Sequence, residues 1–172
     1  MSWNNIIYDS EDKYITSGLN FEIAAMMGAN LGISDFTVIA TLDYLCGDYG
    51  IDTVEMGVTL GVAADAGLLN FGDNQKIIDL VGETGKGTTL GRILGQGAAV
   101  TAKVFGVCRV PVVKGQGIPD HDPRVENGTG ITYCTSAMGP DHTAGLVMWR
   151  NREPVRSDKC FPRNSGYCCY FG

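Results

Sequence analysis

The sequence predicts a mainly α fold, a compact multi-helix domain with short irregular or extended segments around residues 107–138. Apolar residues recur at helical spacing through most of the chain before residue 106. Glycines and capping residues separate these windows, which is typical of short helices joined by tight turns. A chain of 172 residues with 44% hydrophobic residues is long enough to bury a core. We therefore expect one helical domain and then an irregular, cysteine-rich tail over residues 150–172.

The first two helices are predicted between residues 21 and 50. The first follows a turn at residues 17–18 and ends at Gly32. Its apolar residues recur at helical spacing: Ile23, Met26, Met27 and Leu31. Ser34 or Asp35 caps the second helix, which continues to a glycine-containing corner at residues 47–50.

This corner is the most informative local feature of the sequence. Gly50 favours the left-handed backbone that ends a helix, and Asp52 with Glu55 three residues later has the spacing that starts another. A corner of this kind directs carboxylates and backbone amides towards one point, which suits a polar or anionic ligand. A plain structural turn explains the same residues, and the local sequence favours that interpretation.

The third helix, from residue 53 to about residue 66, is apolar on nearly every side, so we expect it at the centre of the fold. Gly57 and Gly61 lie one turn apart and permit another backbone to approach closely. Acidic residues and glycines interrupt the apolar stretch, which is typical of a buried helix and not of a membrane span. The same apolar surface predicts that the chain associates into a homo-oligomer.

Three further helical segments are predicted before residue 107. Asp73 caps one helix, Thr89 opens a short helical turn, and residues 97–104 form a helix that Gly106 closes. Residues 82–89 imitate a phosphate-binding loop but lack the required glycine and hydroxyl positions. A flexible turn between helices explains them instead.

The residue pattern changes after residue 106. Branched residues alternate with turn formers over residues 107–124, which predicts a short strand and then an irregular loop. A turn at residues 127–130 precedes an extended or partly helical segment over residues 131–138. Residues 141–149 are predicted as the last helix.

Composition limits the partners of this protein. The formal net charge is −6, and the 13 lysines and arginines form no basic stripe, which argues against nucleic acid or an anionic membrane as a partner. The N-terminus has neither the charged start nor the apolar core of a secretory signal. We therefore expect a cytoplasmic protein.

The six cysteines form no Cys-x-x-Cys pair, so their spacing does not predict a zinc site. Those in the tail are cluster ligands, redox-active thiols or buried thiols, and buried thiols are favoured because free cysteine is a small core hydrophobe. They are Cys46, Cys108, Cys134, Cys160, Cys168 and Cys169.

A few polar residues are candidates for chemistry. Glu22 lies in an otherwise apolar helical turn, and a carboxylate facing a core must be paired, protonated or functional. His121, between two aspartates, is a proton carrier or an exposed turn residue, and the turn is favoured. His142 beside Asp141 is favoured as the neighbour of a helix cap. Lys114, next to a glycine, holds a phosphate or cofactor oxygen, or is a surface cation.

Four segments together resemble the aldehyde ferredoxin oxidoreductase family. They are SGLNFE at residues 17–22, LCGDYGIDT at residues 45–53, VKGQGIPDHDPR at residues 113–124 and YCTSAMGPDH at residues 133–142. Their order and spacing match those of the family, and only its helical part is represented. We therefore expect residues 4–149 to form a helical domain similar to that part.

The resemblance implies a tungsten or molybdenum enzyme with a bis-pterin cofactor and a [4Fe-4S] cluster, which oxidises aldehydes to carboxylic acids and passes electrons to ferredoxin. By resemblance, Glu22 lies beside the metal as a general acid or base. Cys169 matches a cluster ligand. The residues matched to pterin contacts are Asp48, Gly50, Ile51, Asp52 and Lys114.

Some positions depart from the family pattern. Trp3 stands where a cluster cysteine is expected, Gly47 where the first acid of the pterin sequence is expected, and Val112 where a histidine is expected. The sequence therefore predicts a fragment or truncated homologue that is inactive alone and needs an N-terminal domain or partner chain. The alternatives are a non-catalytic helical binding or association module, and a hydrolase that uses Glu22 and His142.

Overall fold

The structure is a computed structural model that describes residues 5–124 and 127–143. Within these ranges the chain forms seven α-helices and two small two-stranded sheets, which confirms the predicted mainly α class. The predicted last helix is wrong at residues 141–143, which are not helical, and its residues 144–149 lie outside the described residues, as does the tail over residues 150–172.

An unpredicted β-hairpin opens the described chain. Strand β1 (Ile6–Tyr8) pairs antiparallel with β2 (Tyr14–Ser17). Asp9 closes the turn by accepting two backbone amide hydrogen bonds at 2.8 and 2.9 Å. The hydroxyl of Thr16 donates to Asp43 Oδ2 at 2.8 Å, which fixes the hairpin to the helical body.

The first predicted helix is present but is not regular. It begins as α1 (Phe21–Ile23), widens into a π-helical turn (Ala24–Gly28) and tightens into a 3₁₀ turn (Ala29–Leu31). The side chain of Asn20 caps α1 by accepting a hydrogen bond from the third helical amide at 2.9 Å. Gly32 ends the segment with φ of 72°, as predicted.

The two helices that flank the corner follow the predicted bounds. Helix α2 (Phe36–Tyr49) is capped by Asp35 and ends at Gly50, whose φ is 67°. Helix α3 (Thr53–Asp65) begins after Asp52, whose carboxylate accepts the amide hydrogen bond of the third helical residue at 2.8 Å. Local capping chemistry therefore fixes the ends of both helices.

Helix α3 lies at the centre of the fold, as predicted. A Cβ atom at Gly57 would lie 2.7 Å from the backbone oxygen of Met26, so glycine is required for this close approach. A Cβ atom at Gly61 would lie 3.7 Å from the Asn30 side chain, which is an ordinary contact distance. The helix contributes to two hydrophobic cores, with Met56, Leu60 and Ala63 in the larger and Val58 and Val62 in the smaller.

Three further helices follow α3 in the chain. They are α4 (Asn74–Lys86), α5 (Thr89–Leu94) and α6 (Ala98–Phe105). The interhelical turn predicted over residues 82–89 is wrong at residues 82–86, because α4 continues through them. Gly87, with φ of 63°, ends that helix.

A second hairpin and a last helix complete the described chain. Strands β3 (Val112–Val113) and β4 (Gln116–Gly117) are joined through Lys114 and Gly115, which have φ of 53° and 85°. Helix α7 (Asn127–Thr135) shows that the turn predicted at its start is wrong, whereas the partly helical prediction for the following residues is confirmed.

Most side chains of the larger core are almost completely buried. Each buried Leu or Ile side chain contributes about 1.5–3 kcal/mol to stability. The core members with 0% exposure include Leu31, Leu42, Leu60, Ile77 and Leu94. In the described ranges, no single helix is long and apolar enough to cross a membrane. One pair of helical segments, Phe21–Leu31 and Phe36–Tyr49, reaches that length and composition only when the two are counted together, and the pair is bent by 114°.

Candidate functional site

Two carboxylates and two imidazoles meet at one point in the structure. One ligand atom each from Glu22, Asp120, His121 and His142 lies within 4.8 Å of all the others. Helix α1 supplies the first residue, the loop after β4 supplies the next two, and the segment after α7 supplies the last. We call these four residues the carboxylate–histidine cluster.

Glu22 is the buried centre of the cluster, with 4% of its surface exposed. The Nε2 atom of His142 lies 3.2 Å from Glu22 Oε1. Both carboxylate oxygens of Glu22, and Oδ1 of Asp120, are buried without a hydrogen-bond partner in the described part of the chain. Buried polar atoms of this kind require a proton, a ligand or an ion to compensate for lost water.

The protonation states in the cluster are shifted by its burial. Burial first, and then the adjacent carboxyl of Asp120, raises the pKa of Glu22 to about 8. Burial and the neighbouring His121 lower the pKa of His142. Glu22 is therefore largely protonated at pH 7, and it faces an imidazole that is largely neutral.

The chain contains two histidines, and both belong to this cluster. The rings of His121 and His142 stack with centroids 5.1 Å apart and an interplanar angle of 14°. The prediction of an exposed turn residue is wrong for His121, because only 10% of its side chain is exposed. A signal was available, since the tripeptide Pro-Asp-His occurs twice, at residues 119–121 and 140–142.

Helix α7 holds the loop that carries Asp120 and His121. The hydroxyl of Tyr133, a residue 1% exposed, donates to the backbone oxygen of His121 at 3.2 Å. Farther along the loop, Arg124 Nε lies 3.0 and 2.9 Å from the two carboxylate oxygens of Asp122. This arginine holds the pKa of the Asp122 carboxyl below its usual range. The loop is therefore ordered by side chains outside the cluster.

The residues predicted to contact a pterin lie in two places. Gly50 and Ile51 close the α2–α3 corner, where the Ile51 amide donates to the backbone oxygen of Cys46 at 2.8 Å. Asp48 and Asp52 are exposed at the same corner. These four residues therefore lie together at one corner. Their role as pterin contacts stays a prediction.

Lys114, the other predicted contact, is exposed at the tip of the β3–β4 hairpin, where its ammonium donates to the backbone oxygen of Ser136. Glu55 connects this hairpin to α3. Its Oε2 accepts from the amide of Gly117 at 2.6 Å, and its Oε1 accepts from the amide of Ala98 at 2.9 Å. Sequence reasoning gave Glu55 only a capping role and missed this connection.

An open groove of about 1030 Å³ adjoins the cluster. Asp120 is the cluster residue that lines it, together with apolar residues of α3 and with Arg109 and Arg124 on its rim. Within the described ranges, neither Glu22 nor His142 lines this groove. The hydrolase hypothesis required Glu22 and His142 within a few ångströms of a shared cavity. The two side chains lie 3.2 Å apart, and the neighbouring Asp120 lines the groove.

The family model for aldehyde ferredoxin oxidoreductase, domains 2 and 3, matches residues 4–165. The chain belongs to the aldehyde ferredoxin oxidoreductase family. It is 31% identical over 144 residues to the tungsten-containing aldehyde ferredoxin oxidoreductase of Pyrococcus horikoshii, covering 74% of this chain and 24% of that protein. The Pyrococcus furiosus enzyme of the same name is 28% identical over 148 residues, covering 77% and 24%.

A second kind of relative is the WOR-like subunit of an aliphatic sulfonate oxidoreductase from Pyrococcus furiosus. It is 32% identical over 155 residues, covering 78% of this chain and 25% of that subunit. The chain spans about a quarter of the length of the curated relatives it matches.

The donor groups of this aldehyde ferredoxin oxidoreductase family member fit part of a tungstopterin. The ammonium of Lys114 suits anionic oxygens, and the exposed carboxylates of Asp48 and Asp52 suit N–H donors. The unpartnered oxygens of Glu22 form a buried proton-binding site.

An iron–sulfur cluster does not fit the cysteines that the structure describes. Burial raises the pKa of the Cys46 thiol to about 12, which opposes the thiolate form that binds metal. Cys108 and Cys134 are exposed, and no three cysteines in the described ranges form a ligand group. Cys169 lies outside the described residues, so its role as a cluster ligand stays a prediction.

Proposed function

We propose that this chain forms the helical part of a tungstopterin oxidoreductase that oxidises aldehydes to carboxylic acids, with ferredoxin as the electron acceptor. Family membership supports this proposal, as do the relatives named tungsten-containing aldehyde ferredoxin oxidoreductases. The structural observation that carries it is the buried Glu22 carboxyl with His142 Nε2 at 3.2 Å.

Proton transfer is the role that the geometry supports best for Glu22. Conversion of an aldehyde and water to a carboxylic acid releases two electrons and two protons. A bound tungstopterin supplies the two-electron oxidation. The ionised fraction of Glu22 accepts a proton from the reacting water, and His142, whose Nε2 lies 3.2 Å from Oε1, passes the proton on. Because 40% of the His142 side chain is exposed, the proton can then leave to solvent.

Cofactor binding is the second role in the proposal. Asp48 and Asp52 accept hydrogen bonds from the pterin, Gly50 and Ile51 hold the corner in shape, and Lys114 neutralises anionic oxygens. Lys114 must exchange its contact with the Ser136 backbone oxygen for the cofactor. The hydrogen bond from the Gly117 amide to Glu55 attaches the hairpin to the first turn of α3, which begins at the corner.

We propose that the described residues supply only part of the site and that the chain is inactive alone. The [4Fe-4S] cluster needs thiolates that the described cysteines do not offer as a group. An N-terminal domain of the family or a partner chain completes the site in this proposal. Its expected location is the cytoplasm.

The test is isolation of the tagged chain, together with any domain or partner chain that completes its site, from its own cells grown with tungstate. Tungsten, a fluorescent pterin derivative and aldehyde-dependent dye reduction should be recovered together. Lys114→Ala should lower the pterin content, whereas Lys103→Ala, at an exposed lysine of α6, should leave it unchanged. A clean apoprotein without tungsten or pterin would contradict the proposal and support a non-catalytic helical module.

A further inference from the structure

The carboxylate–histidine cluster has an electrostatic requirement that its own residues do not meet. Glu22 and Asp120 face each other, and three of their carboxylate oxygens are buried without a hydrogen-bond partner in the described chain. Within the described ranges, the side chains at ion-pair distance from these carboxylates are the two imidazoles. A bound cation would compensate one oxygen of each carboxylate and offset the charge of the pair.

We propose that Glu22, Asp120, His121 and His142 bind a divalent transition-metal ion, for which Zn²⁺ is the best match. Two imidazole nitrogens and two carboxylate oxygens are a donor set that suits zinc and related first-row ions, whereas calcium and magnesium prefer oxygen alone. The chain places both of its histidines in this one cluster. The inference goes beyond the proposed function because it concerns a second ion and needs no pterin.

The distances in the cluster are close to those of a zinc site. Zinc holds nitrogen and oxygen ligands at about 2.0–2.2 Å, so four tetrahedral ligand atoms lie about 3.3–3.5 Å apart. The contact between His142 Nε2 and Glu22 Oε1 is 3.2 Å, and no pair of ligand atoms in the cluster exceeds 4.8 Å. Small side-chain rotations therefore bring the remaining ligands to a common ion.

Surrounding contacts hold the segments that bear the ligands. The Asn20 cap fixes the first turn of α1, which carries Glu22. The buried hydroxyl of Tyr133 holds the backbone of His121 from α7. Such supporting contacts orient ligands before the metal arrives and contribute to its affinity.

An ion and a proton are alternative occupants of Glu22. Metal binding displaces the proton from a carboxyl ligand and uses the same oxygen lone pairs. Glu22 therefore cannot act as a base while the ion is bound.

The test is a titration of the full chain with Zn²⁺, monitored through the ¹⁵N signals of its two imidazoles. Because there are only two histidines, this readout separates the cluster from the six cysteines. One equivalent of Zn²⁺ should shift both imidazole signals. Competition with a chromophoric chelator should show that Glu22→Gln and His142→Gln each weaken binding by at least about 100-fold, since even supporting residues contribute about 10- to 100-fold.

Asp122→Asn is the matched control, because Asp122 lies on the same loop but pairs with Arg124. It should bind Zn²⁺ like the parent chain. Circular dichroism verifies that each variant is folded. Imidazole signals that do not move, or a Glu22→Gln chain that binds Zn²⁺ at the cluster as tightly as the parent, would overturn the metal site. The proposed oxidoreductase function would survive either result, because it is tested by tungsten, pterin and aldehyde oxidation.

Discussion

Among single residues, Glu22 is the clearest example of a buried carboxyl group whose oxygens lack a hydrogen-bond partner in the described chain. A carboxylate that is 4% exposed and lacks hydrogen bonds from the described chain costs folding free energy when it ionises. The neighbouring Asp120 increases that cost through like-charge repulsion. Proteins retain such groups where the carboxyl has a chemical task, which is the reason to place proton transfer here.

The stability of the metal-free chain should depend on pH through Glu22. Its pKa is about 8 in the folded chain, against an ordinary value of 4.5. Between these values the folded chain keeps a proton that the unfolded chain has lost, so the free energy of unfolding decreases as pH rises. Glu22→Gln should therefore gain stability relative to the parent from pH 5 to pH 8, on the order of a few kcal/mol.

Urea denaturation of both chains in the presence of a chelator measures this difference. The comparison with the variant removes the opposite contribution of His142, whose lowered pKa makes stability rise with pH near its own titration. A difference between the two chains that stays constant from pH 5 to pH 8 would show that Glu22 is ionised throughout this range in the folded chain.

At the level of elements, Glu55 joins α3 to both α6 and the β3–β4 hairpin. Glu55→Gln replaces one accepting oxygen by an N–H donor, so one backbone amide loses its partner. We expect a loss of about 2–4 kcal/mol in the free energy of unfolding, because a charge-assisted hydrogen bond is lost and an amide is left unpaired. Hydrogen exchange at Ala98 and Gly117 should accelerate.

Glu83→Gln provides the control for this substitution. Glu83 forms an ion pair with Lys86 on α4, with 3.2 Å between charged atoms and side chains that are 30% and 68% exposed. Exposed pairs contribute little to stability. If Glu83→Gln and Glu55→Gln shift the urea midpoint equally, the bonds of Glu55 do not join these elements.

The close approach of α3 to the π-helical turn gives a second prediction for the elements. Gly57→Ala places a methyl group 2.7 Å from the backbone oxygen of Met26, and the main chain must move. We expect destabilisation by about 1–3 kcal/mol. Gly82→Ala in α4 meets nothing within 4 Å and should stabilise the chain by up to about 1 kcal/mol. Thermal unfolding that ranks the two variants in the opposite order would contradict this packing.

Helix bounds were predictable because their signals are local. Asp35, Asp52 and Asp73 each cap the helix that follows, and Gly50 ends α2 with positive φ. The N-terminal hairpin was not predicted, since its two short strands have little alternation and are fixed by the distant contact of Thr16. The π-helical turn was missed because its close packing against α3 is a tertiary effect.

For the whole molecule, the candidate site depends on contacts between segments that are far apart in sequence. Glu22 was recognisable from its position in an apolar turn, and the α2–α3 corner from its capping residues. The partnership of Glu22 with Asp120 and the two histidines was not predicted, because three separate segments must fold together to create it. Only the repeated Pro-Asp-His tripeptide pointed towards it.

The fold separates the proposed cofactor contacts from the proton-transfer group. The corner and the Lys114 hairpin form one region through Glu55, and the carboxylate–histidine cluster lies at the edge of the groove through Asp120. Helix α3 begins at the corner and also lines the groove. Its own core covers most of its apolar surface, so homo-oligomer formation stays a prediction that α3 does not explain.

The most direct test of the central claim is aldehyde-dependent electron transfer by the tungsten-loaded assembly that carries Glu22→Gln. Tungsten and pterin contents should equal those of the parent, because Glu22 lies outside the cofactor-binding corner. The turnover rate should fall by about 10²- to 10⁴-fold, the usual contribution of a general acid or base. A turnover rate within about twofold of the parent, with the same tungsten content, would contradict the proton-transfer role of Glu22.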